Sequence, residues 1–81
     1  MPKPKMPRFE IGWYDIVGSA EWLSNEDVLE QSPQECWTVG YFVKETSSYI
    51  TVSCTYSPEG SDQWTGVFSI PKACIFSRKK L

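Results

Sequence analysis

The chain has no histidine. That removes the side chain most often recruited for proton transfer near neutral pH and the commonest metal ligand. Its three cysteines, Cys36, Cys54 and Cys74, are odd in number, widely spaced and free of a C-x-x-C pair. Neither a disulfide framework nor a zinc site is spelled by such a pattern. The expectation is small buried thiols in a reducing compartment. No apolar run reaches the roughly 18 residues of a membrane span, and the opening MPKPKMPRF lacks the apolar stretch of a signal peptide. A cytoplasmic protein without membrane contact is therefore expected. No glycine-rich loop for phosphate is present, since Gly60 and Gly66 read as turn glycines. Asp15, Glu21 and Glu35 would form a catalytic pair only if the fold brought two of them together, and none of the cysteines has a histidine base. The chain is expected to be no enzyme and to need neither cofactor nor metal.

A further absence is local. Residues 10–35 contain no Lys or Arg but hold seven acids: Glu10, Asp15, Glu21, Glu26, Asp27, Glu30 and Glu35. Positive charge sits at the ends, in Lys3, Lys5 and Arg8 and again in Arg78, Lys79 and Lys80. The net charge of −2 thus hides a sharp separation that can orient a partner during encounter.

What is present is an aromatic-rich single domain. At 81 residues, 15% of them aromatic, the chain has room for one modest core. Pro2, Pro4 and Pro7 block regular hydrogen bonding, so residues 1–8 read as a flexible basic arm and residues 9–81 as the domain. RFEIGWYDIVG alternates as a strand with an irregularity near Gly12 or Tyr14. In the following stretch Ser24 and Asp27 have N-cap and N3 spacing, with Leu23 and Val28 at hydrophobic-staple positions and Leu29 on the same inner side. A helix of about two turns, closed by Pro33, fits that pattern.

The remainder reads as strands. ECWTVGYFVK sets Trp37, Val39, Tyr41 and Val43 against Cys36, Thr38, Gly40 and Phe42; YITVSCTY sets Ile50, Val52, Cys54 and Tyr56 against a hydroxyl-rich face. ETSS turns between them, giving a hairpin. SPEGSDQW is a loop, TGVFSI a fourth strand stopped by Pro71, and KACIFSRK a short turn with a last strand. Trp13 and Trp37 are expected in the core, as is Cys74.

About five short strands with one short helix in a long first loop predict a mainly β fold. The order of a strand, a long excursion, three strands, a tight turn and a last strand looks like a small SH3-like barrel, since curling the sheet protects its edges. An OB-like barrel is the nearest rival. From Trp13 to Ile75, the strings WYDIVG, EWLSNEDVLE, TVGYFV and FSIPKACI resemble small, largely uncharacterised bacteriophage-encoded SH3-like barrel proteins. The resemblance implies a virus-associated protein in the host cytoplasm that acts on host components, and it carries no catalytic residue with it.

The expected role is a protein-binding module that modulates or inhibits a host protein through an acidic surface of Asp15, Trp22, Glu26, Asp27 and Glu30, with Trp64 as neighbour. Against this stands the plain alternative: the acids serve solubility and Trp22 plugs the excursion onto the barrel. A different class, nucleic-acid binding, would use Arg78, Lys79 and Lys80, although the acidic body opposes a phosphate backbone. A purely accessory role and self-association through an exposed edge complete the expectations.

Overall fold

Alternation of apolar and polar side chains favours strands, and the computed structural model, which describes residues 5–81, carries five of them among those residues. They are β1 (Arg8–Asp15), β2 (Gln34–Glu45), β3 (Tyr49–Ser57), β4 (Gln63–Pro71) and β5 (Ile75–Lys80). A short helix α1 (Asn25–Glu30) lies between β1 and β2, and a 3₁₀ turn, Lys72–Cys74, precedes β5. The strands form one antiparallel sheet in the order β4-β3-β2-β1-β5.

The protein is mainly β, and the sheet is open. β4 and β5 are its edges, and no ladder joins them among the described residues. β4 runs into Pro71, which has no amide to donate, and the 3₁₀ turn then carries the chain across to pair with β1. Residues 1–4 of the expected arm lie outside the described residues. At its inner end the Pro7 carbonyl accepts the Phe42 amide at 2.7 Å, extending the β1–β2 ladder upstream of Arg8↔Tyr41.

The inner face is set by β1. Ile11 is fully buried and joins Ile50, Val52 and Ile70 in the core, with Phe9, Trp13, Phe42 and Ile75 packed around them. Each isoleucine removed from water contributes about 1.5–3 kcal/mol. The Trp13 indole Nε1 donates to Thr38 Oγ1 at 2.9 Å, so this half-buried ring keeps its polar atom satisfied. Thr51 and Ser53 are buried as well, so the centre of β3 is covered on both faces. Thr51 and Ser69 share a 2.8 Å hydroxyl–hydroxyl bond, while Ser53 Oγ donates between the carbonyls of Thr55 and Thr65 at 2.9 and 2.8 Å.

Three expectations are corrected. Trp37 is more than half exposed. Its register opposite Gly12 puts it on the outer face, and Cys36, Thr38, Gly40 and Phe42 take the inner one. The cysteines are not buried: Cys36 and Cys74 are half-buried and Cys54 is exposed, each a free thiol. The helix cap forms as the sequence implies, Ser24 Oγ accepting the Asp27 amide at 3.1 Å, but α1 buries none of its residues. Leu23, Val28 and Leu29 remain exposed because the excursion stands clear of the core.

Candidate functional site: an acidic excursion and an exposed aromatic cluster

The segment between β1 and β2 is exposed along its whole length, from Ile16 to Pro33. At its root Ile16 and Val17 face Gln31, Ser32 and Pro33 across a shallow cleft of about 260 Å³. Asp15 closes β1 opposite Gln34, and its Oδ1 accepts the amide of Ile16 at 2.8 Å, which turns the chain out of the sheet. Glu26 and Asp27 occupy the first turn of α1, where negative charge meets the exposed amides, and Glu30 ends the helix. Trp22 is fully exposed. The role of a plug between excursion and sheet is thereby ruled out for it.

Trp64 belongs elsewhere. It packs against Tyr56 across the β3–β4 hairpin with ring centroids 4.6 Å apart and planes tilted by 46°, and the Tyr56 hydroxyl donates to Asp62 at 2.6 Å. That bond pushes the Tyr56 pKa up, since the neighbouring carboxylate favours the protonated phenol. Among the described residues no aromatic or hydrogen-bond contact ties Trp64 to the excursion.

A second surface went unread in the sequence. On the outer face Tyr14, Trp37 and Phe76 gather around Gly12: Phe76 lies 4.6 Å from Tyr14 and 5.3 Å from Trp37, the latter edge to face. The irregularity between Gly12 and Trp13 in the β1–β5 pairing puts Phe76 on this face. Gly12 makes the assembly feasible, because a Cβ there would stand 2.7 Å from the Phe76 ring and 2.9 Å from that of Trp37. All three rings are 40–55% exposed. Glu35, opposite Tyr14, accepts the Trp37 indole Nε1 at 3.3 Å, placing a carboxylate at the rim. The available signal was a glycine inside an alternating strand, a recurrent mark of close approach.

The C-terminal cations are unequal. Arg78 is held by both oxygens of Glu45, and Lys72 reaches the same carboxylate at 2.7 Å. Hydrogen bonding to Arg78, and then to Lys72, drops the Glu45 pKa to about 2, and the bond to Glu45 raises the pKa of Arg78. Arg78 is therefore committed within the fold, and Lys79 and Lys80 make no ion pair among the described residues.

Among the described residues no helix is long and apolar enough to cross a membrane. No protein-family model, curated protein or solved structure matches the chain.

Proposed function

We propose that the chain is a non-enzymatic protein-binding module of bacteriophage type, built on an SH3-like plan, which takes a basic segment of a host protein in the host cytoplasm. The SH3-like plan is supported by the strand order, the long excursion after β1 and the 3₁₀ turn before β5. The binding role rests on one observation: a fully exposed Trp22 lies in a stretch of seven acids without a Lys or Arg. A partner segment rich in Lys or Arg is drawn by the field and gains apolar area on Trp22. Occupying a basic surface of the host protein in this way would block it. Asp15, Glu26, Asp27 and Glu30 supply the charge, and Trp64, on another hairpin, lies outside this surface.

The experiment begins with capture from host lysate and continues with titration of the captured protein. The double variant Glu26→Lys/Asp27→Lys and the single variant Trp22→Ala are each expected to weaken affinity about tenfold or more. Wild-type binding is expected to weaken as salt rises. Unchanged affinity in both variants would overturn the reading.

A further inference from the structure

The outer aromatic cluster and its Glu35 rim have a chemical complement in the chain itself. The segment Pro2–Pro7 carries Lys3 and Lys5 and no acid. We propose that the cluster of Tyr14, Trp37 and Phe76 receives this basic arm from a second copy, so that copies associate head to tail. The inference rests on the reading above, that the acidic side of the domain takes basic segments, and names one such segment.

Chemistry selects the arm. Ammonium groups are attracted to the faces of Trp, Tyr and Phe, most strongly where a carboxylate stands beside the ring. Glu35 gives one oxygen to Trp37 Nε1, and its other oxygen has no partner among the described residues. Pro4 lies between the two lysines, with Pro2 and Pro7 on either side; a proline has less backbone freedom to lose on docking, and proline rings lie well against exposed aromatics. Three neighbouring half-exposed rings on a sheet face form the kind of apolar patch that marks an interaction surface.

Geometry places the partner in trans. The Pro7 carbonyl is fixed to the Phe42 amide at 2.7 Å, so the arm leaves β1 at the end away from the cluster. Gly12 and Tyr14 lie five and seven residues in the opposite direction, about 17–23 Å along the strand. Lys5 and Lys3 are two and four residues from Pro7, at most about 7 and 14 Å of straight backbone, and returning along the sheet first takes the four residues of a reversing turn, so neither side chain gets far enough back to reach the rings. A second copy meets no such limit. Arm and cluster are different surfaces, so the contact is heterologous and propagates from copy to copy unless it closes into a ring.

The test is the mass of the full-length chain by sedimentation from micromolar to millimolar concentration, at low and at physiological salt. Wild type is expected to grow with concentration, and less so at higher salt. Lys3→Glu/Lys5→Glu, which keeps the cluster, and Phe76→Ala, which keeps the arm, are each expected to stay monomeric. Mixed, they are expected to form a one-to-one pair, since each supplies what the other lacks. Circular dichroism verifies the Phe76→Ala fold, and Glu35→Lys serves as the cluster variant if that fold is lost. Wild type that stays monomeric, variants that associate as wild type does, or a mixture that fails to pair would each overturn the inference. The two readings fail separately. Monomeric wild type beside a host partner lost in Glu26→Lys/Asp27→Lys defeats self-association alone, whereas pairing in the mixture with no charge-sensitive host partner defeats the host-binding role alone.

Discussion

The Arg78 guanidinium grips both oxygens of the Glu45 carboxylate, Nη1 to Oε2 at 2.9 Å and Nη2 to Oε1 at 2.8 Å, across 33 residues of chain. Lys72 Nζ adds a third contact at 2.7 Å, and the Arg78 guanidinium also lies 4.7 Å from the centre of the Phe9 ring. The end of β2 is thus tied to the 3₁₀ turn and to β5 by side chains, at a place where no backbone ladder closes the sheet. Arginine suits this position because its planar fork matches a carboxylate in two bonds at once.

The same carboxylate gives the fold a defined acid sensitivity. Glu45 titrates at about 2 in the folded chain against an ordinary 4.5, so the unfolded chain takes up the proton first as pH falls. Its stabilising contribution is complete above pH 4.5, declines between the two values and is gone below about 2. Thermal midpoints measured from pH 7 to 2 are expected to be higher for wild type than for Glu45→Gln at neutral pH, with the difference closing through that window. A difference independent of pH would refute the assignment.

Core and excursion are expected to respond in opposite ways to truncation. Ile11→Ala removes a fully buried side chain from a core of four buried apolar residues, and about 2–5 kcal/mol should be lost. That is a large part of the roughly 5–15 kcal/mol that holds a typical domain folded. Trp22→Ala should change urea stability by no more than about 0.5 kcal/mol, because the ring is fully exposed. A large loss in Trp22→Ala would mean that the excursion packs on the domain.

The buried hydroxyl of Ser53 carries a further prediction. Gly66, at φ 66°, distorts β4 opposite Cys54, and the pairing passes from Ser53↔Val67 to Thr55↔Thr65. Ser53 Oγ lies within hydrogen-bond distance of the Thr55 and Thr65 carbonyls on either side of that gap. Ser53→Ala strips both carbonyls of this donor and is expected to cost about 1–3 kcal/mol by urea unfolding. A loss within error of zero would show that neither bond matters.

Most of the backbone was legible in the sequence because its cues are local. Ser24 with Asp27, the polar turn before Tyr49, and Pro71 ahead of the 3₁₀ turn each act within a few residues, and each produced the expected element. Face assignment was less accessible where both parities are apolar. Trp37 and Phe42 sit on opposite faces of β2, and only pairing with β1, where Ile11 is buried and Gly12 lies under Trp37, decides between them. A small, partly open barrel was expected from the number and order of the strands and from the protection that curling gives their edges, yet pairing of β4 with β5 depends on long-range geometry, and the sheet stays open between them. In the candidate site, the charge of residues 10–35 was visible at once, whereas the aromatic cluster needed the irregular β1–β5 pairing that turns Phe76 outward.

Gly12 is where that cluster can be tested without reference to any partner. A methyl at this position meets the Phe76 ring at 2.7 Å and the Trp37 ring at 2.9 Å, closer than carbon atoms pack. Gly12→Ala therefore forces the rings apart or bends β1, at an expected cost of about 1–3 kcal/mol. Removing the ring that stands nearest should relieve the Phe76 part of the conflict and leave that with Trp37, so Gly12→Ala should cost less in a Phe76→Ala background than in wild type. Urea unfolding of the four chains gives the coupling directly, and an interaction of at least about 0.5 kcal/mol is expected for groups in contact. Additive losses would mean that the Phe76 ring does not lie over Gly12 in solution, and the surface proposed for the basic arm would go with it.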